Sequence, residues 1–415
     1  MSKILVIGGG AAGMMAAAAA AEDGHTVVLL EKNEKLGKKL YITGKGRCNV
    51  TNACDRDAFF ENMVSNPKFL YSSYGSWNSQ DMMNWLTAHG LKLKVERGNR
   101  VFPVSDKSSD VIKTFQKILE QAGVQICLNT EVSGLFVEEE MCRGVYVKDR
   151  KMEADAVIVA TGGLSYPTTG STGDGYRWAE QTGHAVTALR PALVPMEAEF
   201  GDGSPAGELQ GLALKNISVS IRKGKKELTN GFGEMMFTHF GVSGPALLSA
   251  SSVVAKELEK GPLELTIDWK PALSEEQLSA RILREFENGK NKILKNVVGN
   301  LLPARAVPVA LRLSKIPPEI PVHEVTREAR YSLVRVLKAF PMRLTGLRGY
   351  PEAIITQGGI SVKEVHPATM ESKRVKHLFF VGEILDLDGF TGGYNLQIAW
   401  STGRAAGKAA GASEG

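Results

Sequence analysis

Cysteine is scarce in this sequence: four in 415 residues, at Cys48, Cys54, Cys127 and Cys142. That is too few for a disulfide framework, and no pair has the C-x-x-C spacing of a zinc or redox motif. The count fits a reducing, cytoplasmic compartment, and no metal is expected. Long apolar runs are also missing, since none reaches the roughly 18 residues of a membrane span. The N-terminal MSKILVIGGGAAGMMAAAAAAEDG has the lysine and small apolar residues of a signal peptide, but glycines interrupt its apolar core. A strong charge of either sign is absent too. Fifty Lys and Arg stand against 45 Asp and Glu, a net charge of +5. So slight an excess points to a solvated surface or a small anionic ligand, and argues against nucleic acid. There is no internal repeat and no low-complexity segment.

What is plentiful is glycine, 44 residues, the residue of tight turns and close backbone approach. Residues 4–7 read as a short buried strand, and Gly8-Gly9-Gly10-Ala11-Ala12-Gly13 follows directly. An alanine-dense helix over 14–21 comes next, Gly24 stops it, and 26–30 reads as a second strand ending at Glu31. Strand, loop, helix, strand and acid in this order make the dinucleotide-binding fingerprint. Gly8 makes the turn, Gly10 admits a pyrophosphate to the backbone, and Gly13 lets helix and strand pack closely. The helix N-terminus offers free amides and about +0.5 of charge to the phosphates, with Ala11 and Ala12 in the loop before it as further candidate contacts. Glu31, with Lys32 beside it, stands where an adenosine ribose would lie. A carboxylate there, in place of an arginine, argues against a 2′-phosphate. The motif by itself leaves FAD and NAD both open.

Residues 32–52, KNEKLGKKLYITGKGRCNVTN, depart from a plain NAD dehydrogenase, which would continue with a crossover helix. Three glycines among basic and small polar residues suit a loop laid along a polyanionic cofactor. Gly37, Lys38, Lys39, Gly44, Arg47, Cys48 and Asn49 are its candidate contacts. Cys48 and Cys54 invite a redox reading, but five residues separate them where flavin disulfide reductases have four. Cys48 therefore reads as a small packed residue and not as a nucleophile.

Helices are expected over 57–88 and an amphipathic one over 108–121, leading into a strand at 124–126. Residues 131–137 (with Val132 toward the cofactor), 144–147 and 154–159 read as a β-meander. Its last strand ends in Ala160-Thr161-Gly162-Gly163, a second close-approach loop. Between 190 and 350 the character changes. Strands at 217–221 and 263–267 precede a mostly helical section over 274–339. The lysine-rich 290–295 reads as a solvated helix face. In MMFTHFGVSGPALL, residues 235–248, His239 is placed in a strand-to-helix turn, with Ser243 as N-cap and Pro245 in the first turn. His239 is a candidate proton donor or substrate hydrogen bond.

The far end, GEILDLDGFTGGYNLQIAWSTG at 382–403, repeats the logic of the front. A strand over 378–381 ends in Gly382-Glu383, where an acid can reach a chain of sugar-like hydroxyls such as a flavin ribityl. Gly392 and Gly393 then lead into Tyr394, Asn395 and Leu396, the start of a helix ending near 410. That helix start can aim amides at flavin N1 and O2. The terminal segment is thus expected to fold back against the first glycine loop, one end holding a pyrophosphate and the other a redox ring.

Three stretches, KLGKKLYITGKGRCNVTN, THFGVSGPALL and GEILDLDGFTGGYNLQIAWSTG, carry a resemblance to the bacterial flavoprotein family that includes aminoacetone oxidase and the bile-acid dehydroxylation flavin reductase. The resemblance implies FAD held by an α/β, two-dinucleotide-binding-type (Rossmann-like) domain in two parts, residues 1–190 and 351–415. It also implies an inserted substrate domain over 191–350, a β-barrel with a helical section. Because no second GxGxxG is present, NADH or NADPH would visit transiently as electron donor. The expected reaction is NAD(P)H-driven reduction of a conjugated C=C bond in an apolar small molecule, with a 3-oxo-diene bile-acid or steroid intermediate as one candidate. The carbonyl oxygen would absorb developing charge, and His239, Tyr394 or Tyr166 would supply a proton. Two alternatives stay open: an amine or aminoketone oxidase using O2, and an RNA-binding flavoprotein resting on the basic balance and residues 290–295. A non-catalytic FAD-binding regulator has nothing in the sequence to favour it.

Overall fold

The computed structural model describes residues 1–411. By its contacts the chain divides into two units, Met1–Pro191 with Tyr350–Gly415, and Ala192–Gly349.

In the first unit KILVI, Lys3–Ile7, is apolar on both faces, which suits a strand covered on both sides. It occupies the middle of a five-stranded sheet. The strand order is Leu378–Phe380, Ala156–Val159, Lys3–Ile7, Thr26–Leu30, Gln125–Cys127, with every pair parallel. This brings the first strand and the last within one strand of each other, although more than 370 residues separate them in the chain. Gly8, Thr161 and Gly382 follow neighbouring strand ends at the carboxyl edge, the edge where open α/β sheets bind ligands.

The alanine run has a packing cause. Helix Ala11–Glu22 lies against the C-terminal helix Tyr394–Ala409 so closely that a Cβ on Gly403 would sit 2.4 Å from the Ala12 carbonyl oxygen. One on Gly407 would sit 2.4 Å from that of Ala16. Small residues on both helices allow the approach, and the first helix is buried from Ala12 to Ala20.

The meander differs from expectation. Its three antiparallel strands are Val132–Glu138, Met141–Val147 and Arg150–Glu153. Ala156–Val159 joins the parallel sheet instead, since all four side chains of AVIV are buried while the charged RKME supplies the meander's edge. A small sheet of Thr51–Asn52, Arg100–Pro103 and Leu93–Glu96 was not expected. The amphipathic helix Ser108–Gln121 was, and it buries Val111, Phe115, Ile118 and Leu119.

The second unit contains a closed six-stranded barrel. Its strand order is Met196–Phe200, Gly241–Ser243, Lys226–Phe237, Ala213–Lys223, Leu263–Asp268, Phe340–Leu347. Phe200, Phe237, Phe340, Leu265 and Ile267 are in its core. Helices Pro245–Leu258, Glu275–Asn288, Leu294–Val298, Ala306–Leu313 and Arg327–Lys338 also belong to the unit. Three local expectations are corrected here. Residues 290–293 form an exposed turn between helices, not a helix face. His239 lies in a strand-to-strand turn closed by Thr238 and Gly241. Ser243 does not cap the helix, because it is still extended and paired with Met236; the cap position falls to Gly244, with Pro245 first in the helix. Among the described residues no helix is long and apolar enough to cross a membrane.

Candidate functional site

A cleft opens at the carboxyl edge of the parallel sheet, and every residue lining it belongs to the first unit. The glycine loop forms one wall. Gly8 has φ +103°, and a Cβ there would lie 2.5 Å from the Ala160 oxygen; on Gly13 it would lie 1.8 Å from the Gly8 oxygen. Both are glycine because backbone fills the space. Gly10 is the opposite case, with no protein atom within 4 Å of its Cβ position. The loop is packed from behind and open in front.

Glu31 directly follows the second strand, Thr26–Leu30, and is buried. Its Oε2 accepts from the Gly9 amide at 2.7 Å, and its Oε1 accepts from the Asn33 amide and side chain at 2.8 and 2.7 Å. A carboxylate has about four acceptor sites, so one remains for a ligand hydroxyl. Lys32 donates to Thr172 and to Asp174 at 2.6 and 2.7 Å, and Arg177 also binds Asp174. Burial alone would raise the Asp174 carboxyl, but these hydrogen bonds outweigh it and hold the group below its ordinary value. The Asn33 side chain donates to the Thr169 carbonyl at 3.0 Å. Residues 169–174 are thereby fixed beside Lys32 and Asn33, next to Glu31 in the cleft wall.

Opposite the loop stands a second polar cluster. Lys39 Nζ pairs with Glu383 at 2.5 Å and donates to Ser165 as well. Glu383 also accepts from the Ser165 hydroxyl at 2.7 Å and the Thr356 amide at 2.9 Å. Residues from three distant parts of the chain therefore meet at one carboxylate. The Thr161 hydroxyl in the cleft wall is buried without a hydrogen-bond partner. At the start of the C-terminal helix, Asn395 clasps Gly389 through both amide atoms, at 2.9 and 2.7 Å, and Asn395 and Leu396 face the cleft.

Of the residues named from the sequence, the structure brings together Gly8, Gly10, Ala11, Ala12, Glu31, Lys32, Gly37, Lys38, Lys39, Val132, Thr161, Gly162, Glu383, Asn395 and Leu396. Gly13, Gly163, Gly382 and Gly393 support the lining from behind; a Cβ on Gly393 would meet Thr51 backbone at 2.4 Å. Gly44, Arg47, Cys48 and Asn49 do not line the cleft. Arg47 is held by Glu96 and Asp106 at 2.5 and 2.6 Å and lies over the Phe102 ring, so its charge is already matched. The Asn49 side chain accepts from the Val101 amide. Cys48 is fully buried, which pushes its thiol up to about 12; burial raises Cys54 as well, and all four cysteines are free. A dithiol couple at this site has no support in such thiols.

Tyr394 turns away from the cleft toward Phe59, with its hydroxyl at Cys54, and burial raises its phenol above the ordinary value. His239 is exposed and belongs to the second unit. Tyr166 is half-buried at φ +50°, its amide bonded to the Tyr350 carbonyl. Sequence reasoning missed Asn33, Thr130, Ser171, Asp174 and Ile355 in the lining. For two of them a signal existed: SYPTTGSTGDG, residues 165–175, carries closely spaced glycines, and Gly170 and Gly173 both have positive φ.

These residues fit an adenine dinucleotide: the open cradle at Gly10 and the spare acceptor site on Glu31 belong to one cleft. Fold and cleft together define a Rossmann-like α/β protein with an additional barrel unit. The chain belongs to the HI0933-like family, whose Rossmann-domain model matches residues 2–409. It is 31% identical over 388 residues, 92% of each chain, to a Clostridium scindens protein named 3-dehydro-bile acid delta(4,6)-reductase. It is 29% identical over 389 residues, 91% of each chain, to a ribosomal RNA dihydrouridine synthase of Haemophilus influenzae. An Escherichia coli protein of the same name is 28% identical over 386 residues, covering 91% of this chain and 90% of its own. Among solved structures, 3-ketosteroid delta1-dehydrogenase from Sterolibacterium denitrificans aligns with a TM-score of 0.53 at 14% identity, covering 98% of each chain. A quinol fumarate reductase chain from Escherichia coli gives 0.51 at 19%, covering 99% of this chain and 69% of that one. At such identities the structural likeness establishes the fold.

Proposed function

We propose that the protein is an FAD-dependent reductase of carbon–carbon double bonds conjugated to a carbonyl, with NADH or NADPH as the transient donor. The observation that carries this reading is the single cleft in which Gly8–Gly13 and the segment from Gly382 meet. A cradle for a pyrophosphate and a cluster at Glu383 suited to polyol hydroxyls belong to one elongated ligand. FAD, when bound, supplies hydride transfer in both directions. The chain's own residues bind and orient it. The amides after Gly10 face the phosphates, Glu31 accepts from the ribose, and the Lys39–Glu383–Ser165 cluster holds the polyol. The start of helix Tyr394–Ala409 directs its free amides into the cleft. Tyr394 is assigned no proton transfer, since it does not face the cleft.

The relatives' names support the reaction class. A 3-oxo-4,6-diene and a uracil ring share one reacting unit, an alkene whose far carbon accepts hydride while the carbonyl oxygen takes up charge. The first reading of the substrate is a small apolar enone of the steroid type, following the 31% relative. A second reading, a uridine in RNA, is favoured by the two relatives named for ribosomal RNA and by the charge distribution described below.

The test is anaerobic. Purified protein carrying FAD should bleach on addition of NADH or NADPH, and a 3-oxo-4,6-diene steroid or uridine-containing RNA should then restore its colour. Failure to bleach with either nucleotide, together with peroxide formation from an amine in air, would replace this reading with the oxidase.

A further inference from the structure

The slight basic excess is not spread over the molecule. Residues 192–349 hold 22 Lys and Arg against 17 Asp and Glu, while the rest of the chain is balanced at 28 of each. The whole net charge of +5 thus resides in the second unit. Within it, the longest hairpin of the barrel, Ala213–Lys223 with Lys226–Phe237, carries five basic residues and two acidic ones. Four of the five cluster at its tip, RKGKK. Arg222 pairs with Glu227 and Lys223 with Glu257, but Lys225, Lys226 and Lys215 are exposed and form no ion pair among the described residues.

Strand alternation sorts the rest of the hairpin. Leu214, Ile217, Val219, Ile221, Met235 and Phe237 point into the barrel. The outer face carries Asn230, Phe232, Glu234 and Met236, cross-paired with Ser220, Ser218 and Ala213. Phe232 is 61% exposed and Met236 41%, among the most exposed large apolar side chains of the protein. A phenylalanine in a folded barrel has inward positions available; this one stands on the outside between polar neighbours. Only Met236 and Phe237 of Lys226–Phe237 pair with Gly241–Ser243, and the rest of that edge carries Lys226, Glu227, Glu234 and a bulge, features that discourage pairing with another chain. An isolated ring among hydroxyls and amides, one end flanked by unpaired lysines, also differs from the broad apolar face that inserts into a lipid surface. It matches the pairing of stacking platform and phosphate-tracking cations by which proteins hold single-stranded nucleic acid.

We propose that the outer face of this hairpin docks unpaired RNA, with Phe232 stacking on a base and Lys225 and Lys226, about 20 Å along the strand at the tip, on phosphates a few nucleotides away. The inference rests on the second substrate reading above, and it assigns the second unit a role in delivering an RNA loop.

The test uses the FAD-loaded protein, a fluorescein-labelled 20-nucleotide oligouridine and anisotropy at 50 and 200 mM NaCl. Three variants are compared with wild type: Phe232→Ala, the pair Lys225→Glu/Lys226→Glu, and a control with the same charge change elsewhere in the unit, Lys290→Glu/Lys292→Glu. All sites are exposed, and a wild-type far-ultraviolet circular dichroism spectrum and melting profile confirm that each variant is folded. Phe232→Ala should weaken binding roughly tenfold with an unchanged salt slope. Lys225→Glu/Lys226→Glu should weaken it at least tenfold and flatten the slope by about 1.4, the contribution of two contacts on a single strand. The control should stay within about twofold. Three results would each overturn the proposal: no binding by wild type, equal losses in the control pair, or a wild-type affinity for Phe232→Ala. Competition by phosphatidylglycerol vesicles with the same dependence on Phe232 would overturn it in favour of a membrane.

Dihydrouridine measured in ribosomal RNA after incubation with the reduced protein separates the surface from the substrate. If none forms while the hairpin dependence of binding holds, the uridine reading fails and the surface stands. If it forms with an unchanged KM in the Phe232 and Lys225/Lys226 variants, the surface fails and the uridine reading stands.

Discussion

Gly10 and Gly13 sit three residues apart in one loop, yet a side chain would have opposite consequences at the two. Gly10 has extended backbone, φ −81° and ψ −170°, and open space ahead of it. Gly10→Val should fold within about 0.5 kcal/mol of wild type, as surface changes do, and lose FAD, read as protein without its visible band. Gly13→Val would drive its Cβ into the Gly8 carbonyl and should prevent soluble expression. A soluble, FAD-free Gly13→Val would show that the packing argument is wrong. His184 supplies a pH prediction at the same scale. Burial holds its imidazole below the ordinary value near 6.5, with Nε2 at 2.6 Å from the Ser372 hydroxyl. As pH falls from 7 through about 6.5 toward that lowered value, the unfolded chain takes up a proton that the native state refuses, so stability falls. The melting temperature should drop between pH 7 and 5, and His184→Gln should drop less over the same interval. The functional residues that were legible in the sequence were those whose chemistry depends on local order, the loop glycines and Glu31. Arg47 and Tyr394 misled because their partners, Glu96 and Asp106 for one and Phe59 for the other, come from separate elements that composition does not place.

At the scale of elements, the two helices Ala11–Glu22 and Tyr394–Ala409, from opposite ends of the chain, pack backbone against backbone in the first unit. The sequence showed an alanine run and a helix containing Gly403 and Gly407, but periodicity alone does not say that these faces meet. A buried helix lacks the polar face that would reveal its orientation. Because the Gly403 Cβ position is 2.4 Å from helix backbone, Gly403→Leu cannot be absorbed by a rotamer change and must separate the helices. A destabilisation of roughly 1–3 kcal/mol or more is expected, measured by urea unfolding. Since the C-terminal helix also presents Asn395 and Leu396 to the cleft, FAD affinity should weaken with it. An unchanged unfolding midpoint would mean the two helices are less intimately packed than described. The meander and the small sheet at Thr51–Asn52 were misread for a related reason. A two-residue strand carries no period, and AVIV pairs equally well with either kind of neighbour until burial decides.

At the scale of the whole molecule, the fold gathers the cleft into one of its two units. Every residue of the cleft lies in Met1–Pro191 or Tyr350–Gly415, and the short strands Arg190–Ala192 and Ile355–Gln357, which flank the second unit in the chain, pair with each other. The break in composition near 190 and 350 was visible in the sequence. The closure of the second unit's strands into a barrel was not, because it depends on pairings such as Leu263 with Leu344, about 80 residues apart. The paired flanks allow a direct experiment, replacement of residues 193–349 by a short Gly-Ser linker. The remaining unit keeps its own hydrophobic core of sheet and helices and the complete cleft lining. It should therefore be soluble and yellow, with FAD bound at wild-type stoichiometry. It should also lose turnover with either enone or RNA if the second unit supplies substrate contacts. A truncated protein that is soluble but colourless would place part of the cofactor's hold in residues 192–349. One that keeps full turnover would remove those residues from the reaction altogether and leave the exposed hairpin without a catalytic purpose.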